Sequence, residues 1–129
     1  MVEEAAGSVR YDIEGDVVIA TMRGHYTVAQ VRDVLTAARH DPRIEGPRGL
    51  LVDARRAAVN PPLDEIRGSI DVVTGLREGF RFPIHIVVTS DLHYGLGRMV
   101  SALAGLVDMQ VEISRDVDEA RRAMGLPVH

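Results

Sequence analysis

Several side chains that could take part in catalysis lie in or directly after predicted strands of this 129-residue chain. A hydroxyl, an imidazole and a carboxylate make up a serine hydrolase triad, and Ser90, His93 and Asp53 could supply them. The serine, however, does not lie in a Gly-x-Ser-x-Gly turn, which would hold its hydroxyl strained and exposed. Nothing in the spacing directs His93 to Ser90 rather than to solvent. We therefore expect that the protein is not an enzyme.

The histidines do not have the spacing of a metal site. His25, His40, His85 and His93 lack the i, i+4 pairing and the nearby glutamate that metal sites use. His85 stands between two isoleucines of an apolar strand, so a core histidine with satisfied hydrogen bonds is the default interpretation. The chain contains no cysteine, which excludes disulfides and zinc–thiolate sites. We expect no metal and no other cofactor.

Polar side chains collect where the predicted parallel strands end. Loops leaving the carboxyl ends of such strands converge at one edge of the sheet, where α/β proteins usually bind ligands. The candidate ligand- or partner-binding residues are Asp53, Arg55, Thr89, Ser90, Asp91, His93, Tyr94 and Arg98. The amides that open the helix after residue 90 could bind an anion. A helix-capping role for Ser90 or Asp91 is the alternative.

Small residues recur every four positions along the same helix. His93, Gly97, Ser101 and Gly105 form a smooth strip that would let another backbone approach closely. Glycine costs about 1 kcal/mol relative to alanine inside a helix, so it persists where packing rewards it. Close packing against a helix of the same domain is one interpretation. The other is an association strip made of Gly97, Ser101 and Gly105.

The elements that position these residues follow from the hydrophobic pattern of the chain. Residues 9–14 alternate between apolar and charged side chains, which predicts a half-exposed edge strand. Gly15 and Asp16 supply a tight turn, and residues 17–22 form a second strand that is apolar on both faces. We expect these two strands to form an antiparallel hairpin.

Helices and strands alternate after the hairpin. Thr27 and Gln30 have the spacing of a capping box at the start of the first helix, and Asp41-Pro42 ends it. The later elements are a strand over 49–54, a helix opened by residues 60–62 and ended near 79, a strand over 84–88, a third helix from 91 to 106, an edge strand over 109–114 and a last helix over 116–124. The third helix is expected to turn these side chains inward: Leu92, Leu96, Met99, Val100 and Leu103.

This order of elements, ββαβαβαβα, predicts an α/β fold. Strand–helix–strand units of this length require parallel pairing through right-handed crossovers. The sequence therefore predicts a five-stranded mixed sheet with an antiparallel N-terminal edge hairpin and four helices. We expect a single domain over residues 9–126, preceded by a flexible N-terminus over residues 1–8.

Composition excludes several classes of partner. The net charge is −4, the fifteen basic residues are scattered arginines, and aromatic residues make up 4%, so the basic stripe and stacking aromatics of a nucleic-acid-binding protein are missing. No run approaches the ~20 apolar residues that cross a bilayer. The N-terminus also lacks the apolar core of a signal peptide. We expect a cytoplasmic protein without a membrane span.

The segment from residue 90 to residue 99, SDLHYGLGRM, carries a family resemblance. It resembles the Asp, Tyr-Gly and Arg-Met helix opening of the SpoIIAA-like family, relatives of the STAS (anti-sigma-factor antagonist) domains and, more distantly, of SEC14-type (CRAL-TRIO) lipid-binding domains. Weaker similarities lie at residues 24–27, 51–53, 115–116 and 119–120. The resemblance runs from about Val9 to Met124 and implies a SpoIIAA-like (STAS-like) fold.

One departure from the STAS domains bears on regulation. Antagonists of that group carry a phosphorylatable serine at the helix after the third strand. Residues 54–68 of this chain contain neither serine nor threonine. A kinase-driven exchange of partners at that position is therefore not expected.

The second face of the predicted sheet bears on function. Strands in sequential order place most helices on one face, yet the central strands are apolar on both sides. A large uncovered apolar face is not tolerated in a soluble monomer, so we expect a second copy, a lipophilic ligand or the loop over 55–62 to cover it. We therefore predict a non-enzymatic, STAS-like protein-interaction or regulatory module that self-associates as a homodimer. The alternative is a carrier or sensor of a small lipophilic ligand, held between this face and a helix.

Overall fold

A single five-stranded sheet forms the centre of the fold, and its strands lie side by side in the order of the chain. The computed structural model describes residues 7–58, 71–72 and 74–128. β1 and β2 pair antiparallel, and every later pair is parallel, which confirms the predicted mixed sheet with an edge hairpin. The strands are β1 Ser8–Glu14, β2 Val17–Gly24, β3 Gly49–Ala57, β4 Ile84–Val87 and β5 Val111–Ser114.

Three helices are described over their full length. They are α1 Val28–Arg39, α2 Asp91–Gly105 and α3 Val117–Ala123. Residues 71–72 and 74–75 are also helical, whereas most of the predicted second helix falls on residues 59–70 and 73, outside the described residues. The predicted capping box of α1 is confirmed. The Thr27 hydroxyl accepts from the amide of Gln30 at 3.1 Å, and the Gln30 side chain accepts from the amide of Thr27 at 2.8 Å.

The N-terminal end of the described chain belongs to the sheet. Ser8 pairs with Arg23 as the first residue of β1, one position before the predicted start of the domain. The amide of Gly7 donates to the carbonyl of His25 at 3.1 Å, and the carbonyl of Gly7 accepts from the Gln30 side chain at 2.9 Å. A Cβ at Gly7 would lie only 2.2 Å from the backbone of His25, so this close approach requires glycine.

Helices α1 and α2 lie on the same face of the sheet, which we call the first face. α1 packs over β1 and β2, and α2 packs over β5. The main core forms beneath and between them from large buried side chains that include Val18, Leu35, Leu50, Ile84 and Val111. The middle strands β3 and β4 therefore lie between two helices that cover the two edges of the sheet.

The second face is covered by the C-terminal part of the same chain. Val17, Leu51 and Val87 are at most 1% exposed there and pack with Ala120 of α3. Val117, Met124 and Leu126 complete the cluster at its margin. The expectation that a second copy or a lipophilic ligand covers these residues is therefore wrong. Of the 55–62 loop, residues 55–57 belong to β3, and residues 59–62 lie outside the described residues.

Arg121 ties this cover to the opposite edge of the sheet. Two of its guanidinium nitrogens donate to the two carboxylate oxygens of Glu14 in β1, at 2.9 and 2.8 Å. The third guanidinium nitrogen, Nε, donates to the carbonyl of Pro127 at 2.7 Å. One buried side chain thus holds α3, the C-terminal tail and β1 together.

β3 contains one extra residue near its end. Thr21 pairs with Asp53, but two positions later Arg23 pairs with Arg56, three positions further along β3. Such a bulge shifts the alternation of side chains by one residue. As a result Ala54 and Ala57 are both buried with the residues of the first face, whereas Arg55 and Arg56 are exposed.

Candidate functional site

Asp53 and Arg55 form an ion pair at the end of β3. The Asp53 carboxylate accepts from the backbone amide of Arg55 at 3.1 Å and from its guanidinium at 2.9 and 2.8 Å. Burial alone would raise the pKa of Asp53, but the hydrogen bonds and charge of Arg55 outweigh it and hold the pKa below its ordinary value. Asp53 is therefore an ionised carboxylate paired with Arg55.

Thr89 and Ser90 organise the turn from β4 into α2. The Thr89 hydroxyl donates to the carbonyl of Arg55 at 3.3 Å, which joins the ends of β3 and β4. The Ser90 hydroxyl accepts from the backbone amide of His93 at 3.0 Å and is the N-cap of α2. Of the two interpretations of Ser90, the helix cap is the one that the geometry shows.

Asp91 and Tyr94 meet an arginine that the sequence pattern did not identify. Arg115 lies 2.6 Å from the Asp91 carboxylate, and its guanidinium carbon lies 4.5 Å from the centre of the Tyr94 ring. Arg98 approaches the same ring at 6.0 Å. Asp91 is therefore itself the anion near the amino end of α2. The position of Arg115 directly after β5 was the feature of the sequence that could have identified it as a residue of this edge of the sheet.

His93 turns away from this polar rim and lines a cavity on the first face. Both of its ring nitrogens are buried and have no hydrogen-bond partner among the residues that the structure describes. Burial lowers the pKa of His93 below its ordinary value, which favours the neutral imidazole. Because the ring does not bond to the Ser90 hydroxyl, the nucleophile–base contact that a triad requires is not formed in the described part of the chain.

The cavity has a volume of about 180 Å³ and lies over β3 and β4, between α1 and α2. We call it the central cavity. Its walls are almost wholly aliphatic, and Tyr26 and His93 supply the polar side-chain atoms among the described lining residues. The apolar wall residues include Val31, Leu50, Val52, Ala54, Ala57, Ile86, Val88, Leu96 and Val100.

The partial exposure of two side chains on the middle strands agrees with the central cavity. Val52 of β3 and Ile86 of β4 are only half-buried, although both belong to middle strands and point to the helix-bearing face. Their neighbours toward the start of each strand, Leu50 and Ile84, are 0% and 2% exposed. The sequence pattern could not predict the cavity, because it predicts which face a side chain occupies and not how completely that face is filled.

The strip of small residues on α2 serves packing within the domain at two of its positions. A Cβ at Gly97 would lie 3.1 Å from the side chain of Ile113 in β5. The Ser101 hydroxyl donates to the carbonyl of Val111 at 2.5 Å. Gly105 has open space around it. Gly97 and Ser101 therefore let α2 approach β5, a strand rather than the helix expected, and are not available as an association strip.

The outward side of α2 is more apolar than the periodicity indicated. Leu92 and Met99 were expected to face inward, but they are 54% and 47% exposed. Leu106, the C-cap residue of α2, is 81% exposed. These three residues are spaced seven apart and form what we call the α2 stripe. The inward prediction was wrong for Leu92, because α2 rests on the edge strand β5 and buries only a narrow side. Met99 lies at the margin of that side, since it is 47% exposed and also lines the central cavity.

The described residues offer neither a metal site nor a membrane-spanning helix. Among residues 7–58, 71–72 and 74–128, no three histidine or acidic side chains group in a way that could hold a metal ion. In the same part of the chain no helix has the length and apolarity needed to cross a membrane. His85 is 7% exposed, and burial lowers its pKa, as expected of a core histidine.

The architecture is similar to that of a known structure. An uncharacterized protein of the DUF3478 family from Shewanella loihica PV-4, described as having a SpoIIAA-like fold, superimposes with a TM-score of 0.65. The two share 14% sequence identity, and the match covers 96% of this chain and 98% of that one. This chain therefore has the SpoIIAA-like fold. Comparison of the sequence with family models and with curated proteins gives no match.

Proposed function

We propose that this protein is a non-catalytic binding module that holds a small, largely apolar molecule in the central cavity. The observation that carries the proposal is the cavity itself, about 180 Å³ of space with aliphatic walls over the middle strands. Apolar cavities of about 150 Å³ accept benzene-sized molecules. The alternative function drawn from the sequence, a carrier or sensor of a lipophilic ligand, is thus moved from the second face to the first.

The size of the cavity limits the ligand. Sites for drug-sized molecules measure roughly 300–1,000 Å³, so this cavity suits a single ring or a short branched chain. Met99 lines the cavity and is 47% exposed, which places a flexible side chain at the boundary with solvent. Among the described residues Ser90 makes no contact with a base and caps α2 instead, and Asp53 is paired with Arg55; both observations support a binding role rather than a catalytic one.

A cavity-filling substitution tests the proposal. Toluene is the probe, and binding is followed by methyl NMR shifts and by the melting temperature. A ligand at about 100 times its Kd stabilises a protein by about 2.7 kcal/mol, a rise in Tm on the order of 10 °C for a domain of this size. In Val52→Phe the added ring occupies the cavity, and we expect toluene to lose both effects.

The matched control is Ile19→Phe, which adds the same ring to a partly buried position on the second face. It should retain toluene binding. The proposal fails if toluene shifts no cavity methyl of the wild-type protein, or if Val52→Phe and Ile19→Phe bind it equally well. Native mass spectra before and after denaturation would in addition reveal a small molecule that copurifies.

The α2 stripe supports a second candidate function, self-association as an interaction module. Leu92, Met99 and Leu106 recur every seven residues, the spacing that keeps apolar residues in the seam between two paired helices. A second copy of the chain offers the same stripe, so two α2 helices can pair along their length. This supports the predicted homodimer, although Gly97 and Ser101 take no part in it.

Sedimentation velocity tests this second candidate. We expect concentration-dependent dimers of the wild-type protein and monomers of Leu106→Asp, because a carboxylate in the seam would be desolvated without a partner. Val128→Asp is the control, since Val128 is also exposed, at 38%, but lies in the C-terminal tail. A wild-type protein that stays monomeric at every concentration would exclude the dimer.

A further inference from the structure

We propose that His93 is the polar anchor of the central cavity, and that the ligand is a small apolar body carrying one uncharged hydrogen-bonding group, such as a hydroxyl on a ring. This inference rests on the proposed function, because it names the class of molecule that the cavity selects. The observation behind it is the pair of His93 ring nitrogens, buried and without a partner among the described residues. A buried polar atom is costly when its hydrogen bond is not made.

The cavity is polar at one end. Leu50, Ile84 and Val111 line it near the starts of their strands, where the core is fully buried. His93 and Tyr26 line it near the other end, with residues at the carboxyl ends of the strands such as Ala57 and Val88. A ligand with an apolar body and a single polar group would therefore lie with its body over the starts of the strands and its polar group at His93.

The backbone holds the imidazole in place. The amide of His93 donates to the Ser90 hydroxyl in the N-cap of α2, which fixes the first turn of the helix that carries the ring. Ser90 therefore serves the site indirectly, as the cap of the helix that presents His93. An anchor on a capped helix turn loses little freedom when a ligand binds, which favours affinity.

The surroundings favour an uncharged ligand group. A neutral imidazole has one donor and one acceptor nitrogen, so it can pair with a hydroxyl, a carbonyl or an amide. None of the described lining residues carries a charge. A carboxylate or ammonium group would be taken out of water without a counter-charge from the described lining residues, which is strongly unfavourable. Burial also keeps the pKa of His93 low, so the ring does not readily supply that counter-charge.

Two probes of nearly equal shape separate the anchor from the cavity. Toluene and phenol differ by a methyl group against a hydroxyl, and the measured quantity is the ratio of their Kd values. Because phenol is better hydrated than toluene, the ratio is compared between variants and not read in isolation. In His93→Leu the hydrogen bond is lost while an apolar wall remains. We expect the Kd for phenol divided by the Kd for toluene to rise about tenfold relative to the wild-type protein.

Two further variants complete the design. His93→Gln keeps a donor and an acceptor at the position and should retain most of the phenol preference. His40→Leu removes an exposed histidine at the end of α1, outside the cavity lining, and should leave the ratio unchanged. The ring ¹⁵N shifts of His93 provide a direct readout, since phenol should move them more than toluene does.

The outcomes distinguish the two proposals. If His93→Leu binds toluene and phenol in the same ratio as the wild-type protein, the cavity binds ligands but His93 is not the anchor. Toluene binding by this variant also shows that it is folded. If the wild-type protein binds neither probe, the proposed function fails and the inference fails with it.

Discussion

At the start of a helix, a hydroxyl or carboxylate accepts hydrogen bonds from backbone amides two or three positions ahead. Because these partners are local, the capping residues were predictable. Asp116 accepts from the amides of Asp118 and Glu119 in that way. The direction of His93 was not predictable, since the cavity that it lines is also formed by residues of β2, α1 and β3, which are distant in sequence.

Arg48 was also missed, although its partners are near it in the sequence. It is 6% exposed, and its guanidinium donates to the carbonyls of Ala38, Asp41 and Ile44 at 2.7 to 3.0 Å. These carbonyls lie at the end of α1 and in the turn that follows, where helix geometry leaves acceptors without partners. A charged residue before an apolar strand gives no sign of this role in the sequence.

Asp41 leads to a prediction about pH. Its carboxylate accepts from the Arg43 guanidinium and amide and from the Tyr11 hydroxyl, so its pKa lies well below the ordinary value. A depressed folded-state pKa contributes stability that is complete above about pH 4 and declines as the pH falls toward the folded-state pKa. Asp41→Asn should therefore be less stable than the wild-type protein at pH 7, and the difference should shrink below about pH 4.

Urea unfolding at pH 7 and at acidic pH measures this effect. Asp33→Asn is the control, because Asp33 is an exposed residue of α1. It should show neither the loss at neutral pH nor the convergence in acid. A destabilisation by Asp41→Asn that is the same at both pH values would show that the carboxylate charge contributes nothing.

At the scale of elements, the types of strands and helices were predictable and their placement was only partly so. Alternation in residues 9–14 identified an edge strand, and continuous apolar runs identified β2, β3 and β4. The side of the sheet that α3 covers was not predictable. The right-handed crossover constrains a helix that joins two parallel strands. It does not constrain α3, which follows the edge strand β5 and packs where its apolar residues fit.

The contact between Arg121 and Glu14 should therefore stabilise the placement of α3. Removing one member of a buried pair costs about 3–5 kcal/mol; because the Glu14 side chain is 35% exposed, we expect a loss of about 2 kcal/mol for Arg121→Met. Arg122→Met is the matched control, since the neighbouring arginine is exposed. Urea unfolding measures both. Equal effects of the two substitutions would contradict a specific role of the Arg121 contact.

For the whole molecule, the parallel pairing followed from the strand–helix–strand repeats. The sequential order of the strands followed from the resemblance to the SpoIIAA-like family, and the cavity followed from neither. The cavity depends on how far apart α1 and α2 lie and on the small volumes of Ala54 and Ala57 beneath them. Neither quantity is encoded in a local pattern. The expectation that another molecule covers the second face failed because it did not place the last helix, α3, on that face.

The bulge in β3 has a consequence for the chemical character of the cavity. An ordinary strand alternates strictly, so the residue two positions after Ala54 would share its face, and that residue is Arg56. The extra residue resets the phase of the strand, and Ala57 takes that place instead. A sequence that reads Ala-Arg-Arg-Ala can thus present two methyl groups inward and keep two cations in water. The bulge therefore shifts the side-chain alternation of β3 so that no arginine of this segment lines the cavity.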